Sequence, residues 1–147
     1  MEESNTLYFA YGSNMNRSQM AHRCPGSEPI GKATLPGYRF IINQTGYATI
    51  VPSGTAWVEG VLWLLKPRHI ETLDEYEDHE EGFYDRCYRA VQNGEGKDRM
   101  ALVYIDHRQT TISPPNDGYL ERVVEGAIEH GLTEGYIDRL RSFGVRE

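Results

Sequence analysis

Thr6-Leu7-Tyr8-Phe9-Ala10-Tyr11-Gly12-Ser13-Asn14 decides the architecture. The aromatic and apolar run reads as a buried strand, and the glycine that stops it reads as a tight turn. A helix follows, because Asn16 with Gln19 three positions later has the form of a capping box, and Pro25-Gly26 ends the segment. The chain therefore opens with a strand, a glycine turn and a short helix.

Outward from that opening, Arg39 to Asn43 and Tyr47 to Val51 are β-branched and aromatic runs separated by Gln44-Thr45-Gly46, the pattern of a strand pair. Ala56 to Leu65 carries apolar residues on both faces, as a central strand does. Tyr84 to Gln92 and Arg99 to Asp106 flank the turn Asn93-Gly94-Glu95-Gly96. At least five strands are expected. Pro67 opens a helix with Ile70 and Leu73 on its apolar stripe, and Leu120, Val123, Val124, Ala127 and Ile128 mark a second helix, stopped by Gly131. Thr133 is placed to cap a last helix carrying Ile137 and Leu140, with Gly144 beyond its end. The reading is an α+β chain, one domain over residues 1–147, with a small mixed sheet and helices packed around it.

Composition narrows the function. Lysine and arginine number 15 against 22 acidic residues, a net charge of −7, which opposes a nucleic-acid partner. The 39% apolar and 25% charged fractions are those of a globular chain, and ten Tyr, four Phe and two Trp can anchor its core. The polar, acidic start Met1 to Thr6 lacks the features of a secretion signal, and no apolar run approaches a membrane span of about 18 residues. A cytoplasmic protein with no membrane contact is expected. Cys24 and Cys87, far apart and in no C-x-x-C pair, read as packing residues of a reduced compartment. His22, His69, His79, His107 and His130 form no ligand motif, so neither a metal nor another cofactor is expected.

Two features carry chemistry. At 100° per residue, a helix from Pro67 puts Glu77 roughly 20° from Ile70 and roughly 40° from Leu73, on the inward stripe. A carboxylate there either finds a partner, such as Arg86, or has its pKa raised by loss of water, which suits a proton shuttle. The second feature is Tyr11-Gly12-Ser13-Asn14, whose successive backbone amides between strand and helix suit an oxyanion or carboxylate. Ser13 is a poor nucleophile candidate, since G-x-S-x-G is absent and no histidine is near in sequence. Tyr119, after Pro114-Pro115-Asn116-Asp117-Gly118, starts a helix from which its ring reaches a neighbouring cleft or packs in the core.

Phe9-Ala10-Tyr11-Gly12-Ser13-Asn14-Met15, Gly46-Tyr47-Ala48-Thr49-Ile50-Val51-Pro52, Glu59-Gly60-Val61-Leu62-Trp63, Leu73-Asp74-Glu75-Tyr76-Glu77 and Gly82-Phe83-Tyr84 occur in order over most of the chain. Together they resemble the gamma-glutamylcyclotransferase-like family. The resemblance implies a barrel-like β-sheet, a cofactor-independent enzyme, and Glu77 as the acid/base. It implies a substrate loop of Tyr8, Phe9, Ala10, Tyr11, Gly12 and Ser13 with Asn14 beside it, and Tyr84 and Tyr119 near the substrate. Residue 78 is Asp where family members often have Gly. The implied partner is a small γ-glutamyl amide, acted on by a monomer or homodimer. The substrate's α-amine attacks its own γ-carbonyl, giving 5-oxoproline and a free amine. A γ-glutamyl amide hydrolase and a non-catalytic ligand binder are the alternatives.

Overall fold

The opening run forms β1 (Thr6–Ala10), followed by a 3-10 turn at Ser13–Met15 and helix α1 (Arg17–Arg23). Two long strands follow, β2 (Glu28–Ile42) and β3 (Ala48–Leu65), then helix α2 (Pro67–His79). The hairpin β4 (Asp85–Asn93) and β5 (Asp98–Ile105) precedes α3 (Tyr119–Glu129) and α4 (Glu134–Ser142). This computed structural model describes residues 5–79 and 84–144, and at residues 77–79 it describes the helical backbone alone.

The five strands close into a barrel in the order β1-β3-β2-β4-β5. β1 lies antiparallel to β3, from Thr6 opposite Leu65 to Ala10 opposite Val61, and parallel to β5 at Tyr8 and Leu102. Closure satisfies the backbone groups that an open sheet would leave at its edges. Phe9, Ile42, Leu65 and Leu102 are buried to within 1% of completely, each contributing about 1.5–3 kcal/mol relative to exposure. Gly60 lets β1 come close to β3: a Cβ there would lie 2.4 Å from the Ala10 carbonyl oxygen and 2.8 Å from Phe9 Cζ. No described helix is long and apolar enough to cross a membrane.

Three expectations need correction. The runs expected at 47–51 and 56–65 belong to one strand, not two, which starts at Ala48 rather than Tyr47, because β3 runs on through Pro52-Ser53-Gly54-Thr55. Tyr38 of β2 stands opposite Pro52, and register shifts at Pro29/Gly31 and Pro36/Tyr38 absorb the positions where proline cannot donate to the ladder. Thr133 occupies the N-cap position of α4 without a capping bond from its side chain. The buried carboxylate of Glu59 takes over, accepting from Thr133 N at 3.0 Å and Oγ1 at 2.7 Å. Ile128, read as part of the inward stripe of α3, is 54% exposed, while Val123 and Ala127 are fully buried. Cys24 and Cys87 are free and buried, and burial, against the opposing charge of Arg23, pushes the Cys24 thiol up to about 11.

Candidate active site

The 3-10 turn is held from both sides. Asn16 caps α1 as expected, its Oδ1 accepting from Gln19 N at 3.1 Å. The reciprocal half of the capping box does not form, because Asn16 N already donates to the Ser13 carbonyl at 3.0 Å. Gln19 instead sends its amide group back to the turn, donating to Ser13 Oγ at 2.6 Å and Asn14 Oδ1 at 2.9 Å. Arg23 adds a third bond, Nη1 to Asn14 Oδ1 at 3.2 Å. On the other side, α3 presses its Gly126 against the backbone of Met15 and Asn16.

A hollow opens beside this turn, lined among the described residues by Gly12, Ser13 and Asn14 and by Tyr8, Tyr11, Tyr84, Tyr104 and Tyr119 around Ala48. It encloses a volume of about 300 Å³ and opens to solvent. The tyrosines are fixed by their hydroxyls. Tyr11 donates to the Tyr104 carbonyl at 2.6 Å, and Tyr8 accepts from Asn14 Nδ2 at 3.0 Å. Ala48 is bracketed: its N–H donates to Tyr119 Oη at 3.2 Å, and its carbonyl accepts from Tyr84. Tyr119 also packs edge-on against Tyr47, with 5.1 Å between centroids. The segment before Tyr119 is tied to the β2–β3 turn, since Asn116 donates to the carbonyls of Gly46 and Thr45, each at 3.0 Å. Asn116 sits where a Cβ on Gly46 would be, 2.2 Å away, and Gly46 has φ +83°, so glycine is required there twice over.

Polar capacity is concentrated on the turn. Among the described residues, none of the amides of Gly12, Ser13 and Asn14 donates to a protein acceptor. Three successive backbone donors lining a tyrosine-walled hollow suit a carboxylate or an oxyanion. Ser13, 4% exposed, uses its hydroxyl oxygen to accept from Gln19, an arrangement that does not activate it as a nucleophile. No group of three or more His, Cys, Asp or Glu able to hold a metal ion is found among the described residues.

Helix α2 ends beside this wall. Leu73 is fully buried, and the neighbouring Asp74 accepts from Tyr104 Oη at 2.6 Å. Arg86 also grips Asp74, through Nε to Oδ1 at 3.0 Å and through Nη2 to Oδ2. Arg86, one possible partner of Glu77 on the sequence reading, is thus engaged by Asp74. Burial works to raise the Asp74 pKa, but the hydrogen bonds from Arg86 and Tyr104 and the guanidinium charge outweigh it and hold the carboxyl below its ordinary value. A lowered folded-state pKa stabilises the fold above the unfolded value and loses that contribution as the pH falls through the folded one. The melting-temperature difference between wild type and Asp74→Asn, small because the pair is partly exposed, is therefore expected to be full above about pH 4 and to close below it. A difference that persists unchanged at pH 2 would contradict this.

Tyr8, Tyr11, Gly12, Ser13, Asn14, Tyr84 and Tyr119 meet at the hollow. Phe9 and Ala10, expected in the substrate loop, do not line it: Phe9 turns to the space over Gly60, and Ala10 is buried in the core. The side chain of Glu77 lies outside the described residues, while its backbone belongs to α2, one turn beyond Leu73. Ala48 and Tyr104 were not singled out from the sequence as site residues. The signal for Tyr104 is a phenol inside the aliphatic run Ala101-Leu102-Val103-Tyr104-Ile105, where a buried hydroxyl needs a partner.

The family model described as gamma-glutamyl cyclotransferase, AIG2-like, matches residues 8–122. A human protein named gamma-glutamylcyclotransferase is 28% identical over 151 residues, covering 96% of this chain and 80% of its own length. A solved structure named gamma-glutamyl cyclotransferase superposes with a TM-score of 0.86 at 28% identity, covering 95% of this chain and 88% of that one. A solved human protein described as uncharacterized does so with the same TM-score at 30% identity, covering 96% and 88%.

Proposed function

Because the chain belongs to the gamma-glutamyl cyclotransferase, AIG2-like family, we propose that it is an enzyme converting γ-glutamyl amides to 5-oxoproline and a free amine, with Glu77 as the acid/base. The observation that carries the reading is the hollow itself: three uncommitted backbone donors at Gly12–Asn14, walled by tyrosines, with the last turns of α2 fastened to Tyr104.

The reaction needs little from the protein beyond placement and one proton carrier. The substrate's α-ammonium gives a proton to the Glu77 carboxylate and becomes a nucleophilic amine. Its lone pair forms a C–N bond to the γ-carbonyl carbon, closing a five-membered ring and placing negative charge on the carbonyl oxygen. The γ-amide C–N bond then breaks as the carbonyl reforms and Glu77 returns this proton to the leaving nitrogen. The ring nitrogen gives up its one remaining extra proton, which Glu77 passes to the released amine. A neutral lactam and an ammonium leave, so charge and atoms balance. Since the nucleophile is part of the substrate, folding it against its own carbonyl supplies an effective molarity of about 10⁵ M or more. The turn amides receive an oxygen of the substrate, either its α-carboxylate or the developing γ-oxyanion. The tyrosine rings wall the folded substrate on several sides, which favours attack by its own amine over attack by water. A cytoplasmic location belongs to the same reading.

The test is product identity. Incubation with a panel of γ-glutamyl amino acids and γ-glutamyl amines is expected to release 5-oxoproline and the amine in equal amounts. Free glutamate instead would establish a hydrolase, and tight binding without product over hours would establish a binding protein. Ser13→Ala is expected to retain activity within about 10-fold, because the amide rather than the hydroxyl faces the chemistry. Complete loss in that variant would restore Ser13 as a nucleophile.

A further inference from the structure

Among the described residues, Asp74 is a side chain through which two barrel strands hold the second half of α2. Its carboxylate receives Arg86 from β4 and Tyr104 from β5. Those two residues stand directly opposite each other in the β4–β5 ladder, so one carboxylate spans one rung of the sheet. Tyr104 in turn is engaged at the hollow through its hydroxyl, its carbonyl and its ring. Its hydroxyl donates to Asp74, its carbonyl accepts from Tyr11, and its ring packs edge-on against Tyr8 with 5.9 Å between centroids. We propose that Asp74 is a positioning residue for the reaction, fastening the last turns of α2 and the Tyr104 wall of the hollow to each other as one unit. The inference rests on the reading of the hollow as the substrate site.

Both the geometry and the exposure support a positioning role over a purely stabilising one. A two-pronged guanidinium grip plus a phenol holds the carboxylate through three hydrogen bonds, which opposes rolling of the helix about its axis. The start of α2 has its own anchor: the buried ring of His69 accepts from Lys66 N at 3.1 Å through Nδ1 and meets the Pro25 carbonyl at 2.8 Å through Nε2. Asp74 supplies the corresponding anchor near the end, three residues before Glu77. The side chains of Asp74 and Arg86 remain 30% and 48% exposed, a setting in which ion pairs add little to global stability. Loss of the clasp should therefore appear in turnover more than in melting.

The test combines steady-state kinetics of 5-oxoproline release with amide hydrogen exchange on the intact protein. Asp74→Ala is expected to lower kcat about 10-fold or more with KM within about 2-fold, since small misplacements of reacting groups cost up to about 10²-fold. Asp74→Asn, which still accepts from Tyr104, and Arg86→Lys should each recover part of that loss. In Asp74→Ala the amides from residue 74 to the end of α2 should exchange at least about 10-fold faster while those of α3 stay as in wild type. Unchanged exchange overturns the proposal. Faster exchange with kcat within 2-fold of wild type also overturns it, leaving Asp74 a local stabiliser only. A wild type that releases no 5-oxoproline overturns the assigned reaction instead, and the exchange measurement then decides the fastening alone.

Discussion

Glu77→Gln is expected to reduce 5-oxoproline formation by about 10²-fold or more while leaving the melting temperature close to that of the wild type. Glutamine keeps the shape of the side chain and its capacity for hydrogen bonds, and removes only the ability to take and return a proton. The reaction asks for both transfers, one from the α-ammonium and one to the departing nitrogen. The residual rate should not vanish, because the folded substrate keeps its intramolecular advantage. Kinetics on the purified variant, with circular dichroism and a thermal melt as controls, would settle the matter. Turnover equal to wild type would remove Glu77 from the mechanism. Recovery of the lost rate when the substrate's α-amine is supplied already deprotonated, by raising the pH, would identify the first transfer as the one Glu77 serves.

Gly126→Ala should damage both fold and activity although it lies on a helix. In the interior of an ordinary helix, replacing glycine by alanine gains roughly 1 kcal/mol. Here the added Cβ would stand 2.6 Å from Asn16 N, 2.7 Å from the Met15 carbonyl carbon and 2.9 Å from Met15 Cβ. Two of these are backbone atoms of the segment that forms the turn, so no side chain can swing aside. Overpacking of this kind costs about 1–3 kcal/mol, enough to reverse the expected gain and lower the melting temperature by several degrees. The turn at Ser13–Met15 must shift to relieve it, and activity should fall about 10-fold or more because the donors of Gly12–Asn14 move with it. Gly135→Ala is the control: it also lies on a helix, and nothing stands within 4 Å of its Cβ position. That variant should be at least as stable as wild type. Equal stability and activity of the two variants would refute the argument.

Much of the fold was legible because its signals are local. The aromatic run into Gly12, the Asn16 cap, the hairpin glycines and the stripe of α3 each depend on neighbours within a few residues. The failures fall where distant residues overrule local ones. Pro52 and Gly54 look like a break, yet β3 continues beyond them: Ser53 to Ala56 bulge out opposite the single Gly37 of β2, and the ladder resumes at Trp57 opposite Pro36. Thr133 looks like a helix cap, but a carboxylate from β3, 74 positions away, performs that task. The site divides in the same way. The turn and Tyr119 are marked by glycine and proline, whereas Tyr104 and Ala48 join the hollow only through the barrel's strand order, which periodicity cannot supply. Phe9 and Ala10 belong to the loop that the family resemblance implies, yet of this buried strand only Tyr8 lines the hollow, with Tyr11 just beyond its end.

The parallel pairing of β1 with β5 also sets an order of events during synthesis. The first strand to leave the ribosome waits for β3 to give it one neighbour, and for residues near Leu102 to give it the other. Until then it carries an aromatic-rich, hydrogen-bond-hungry border, the kind of surface that recruits other nascent chains. Closing so long a span is slow compared with forming helices or the β4–β5 hairpin. Chains released before Leu102 lack the stave that completes the barrel, so premature termination upstream of this point should yield aggregates rather than smaller working proteins.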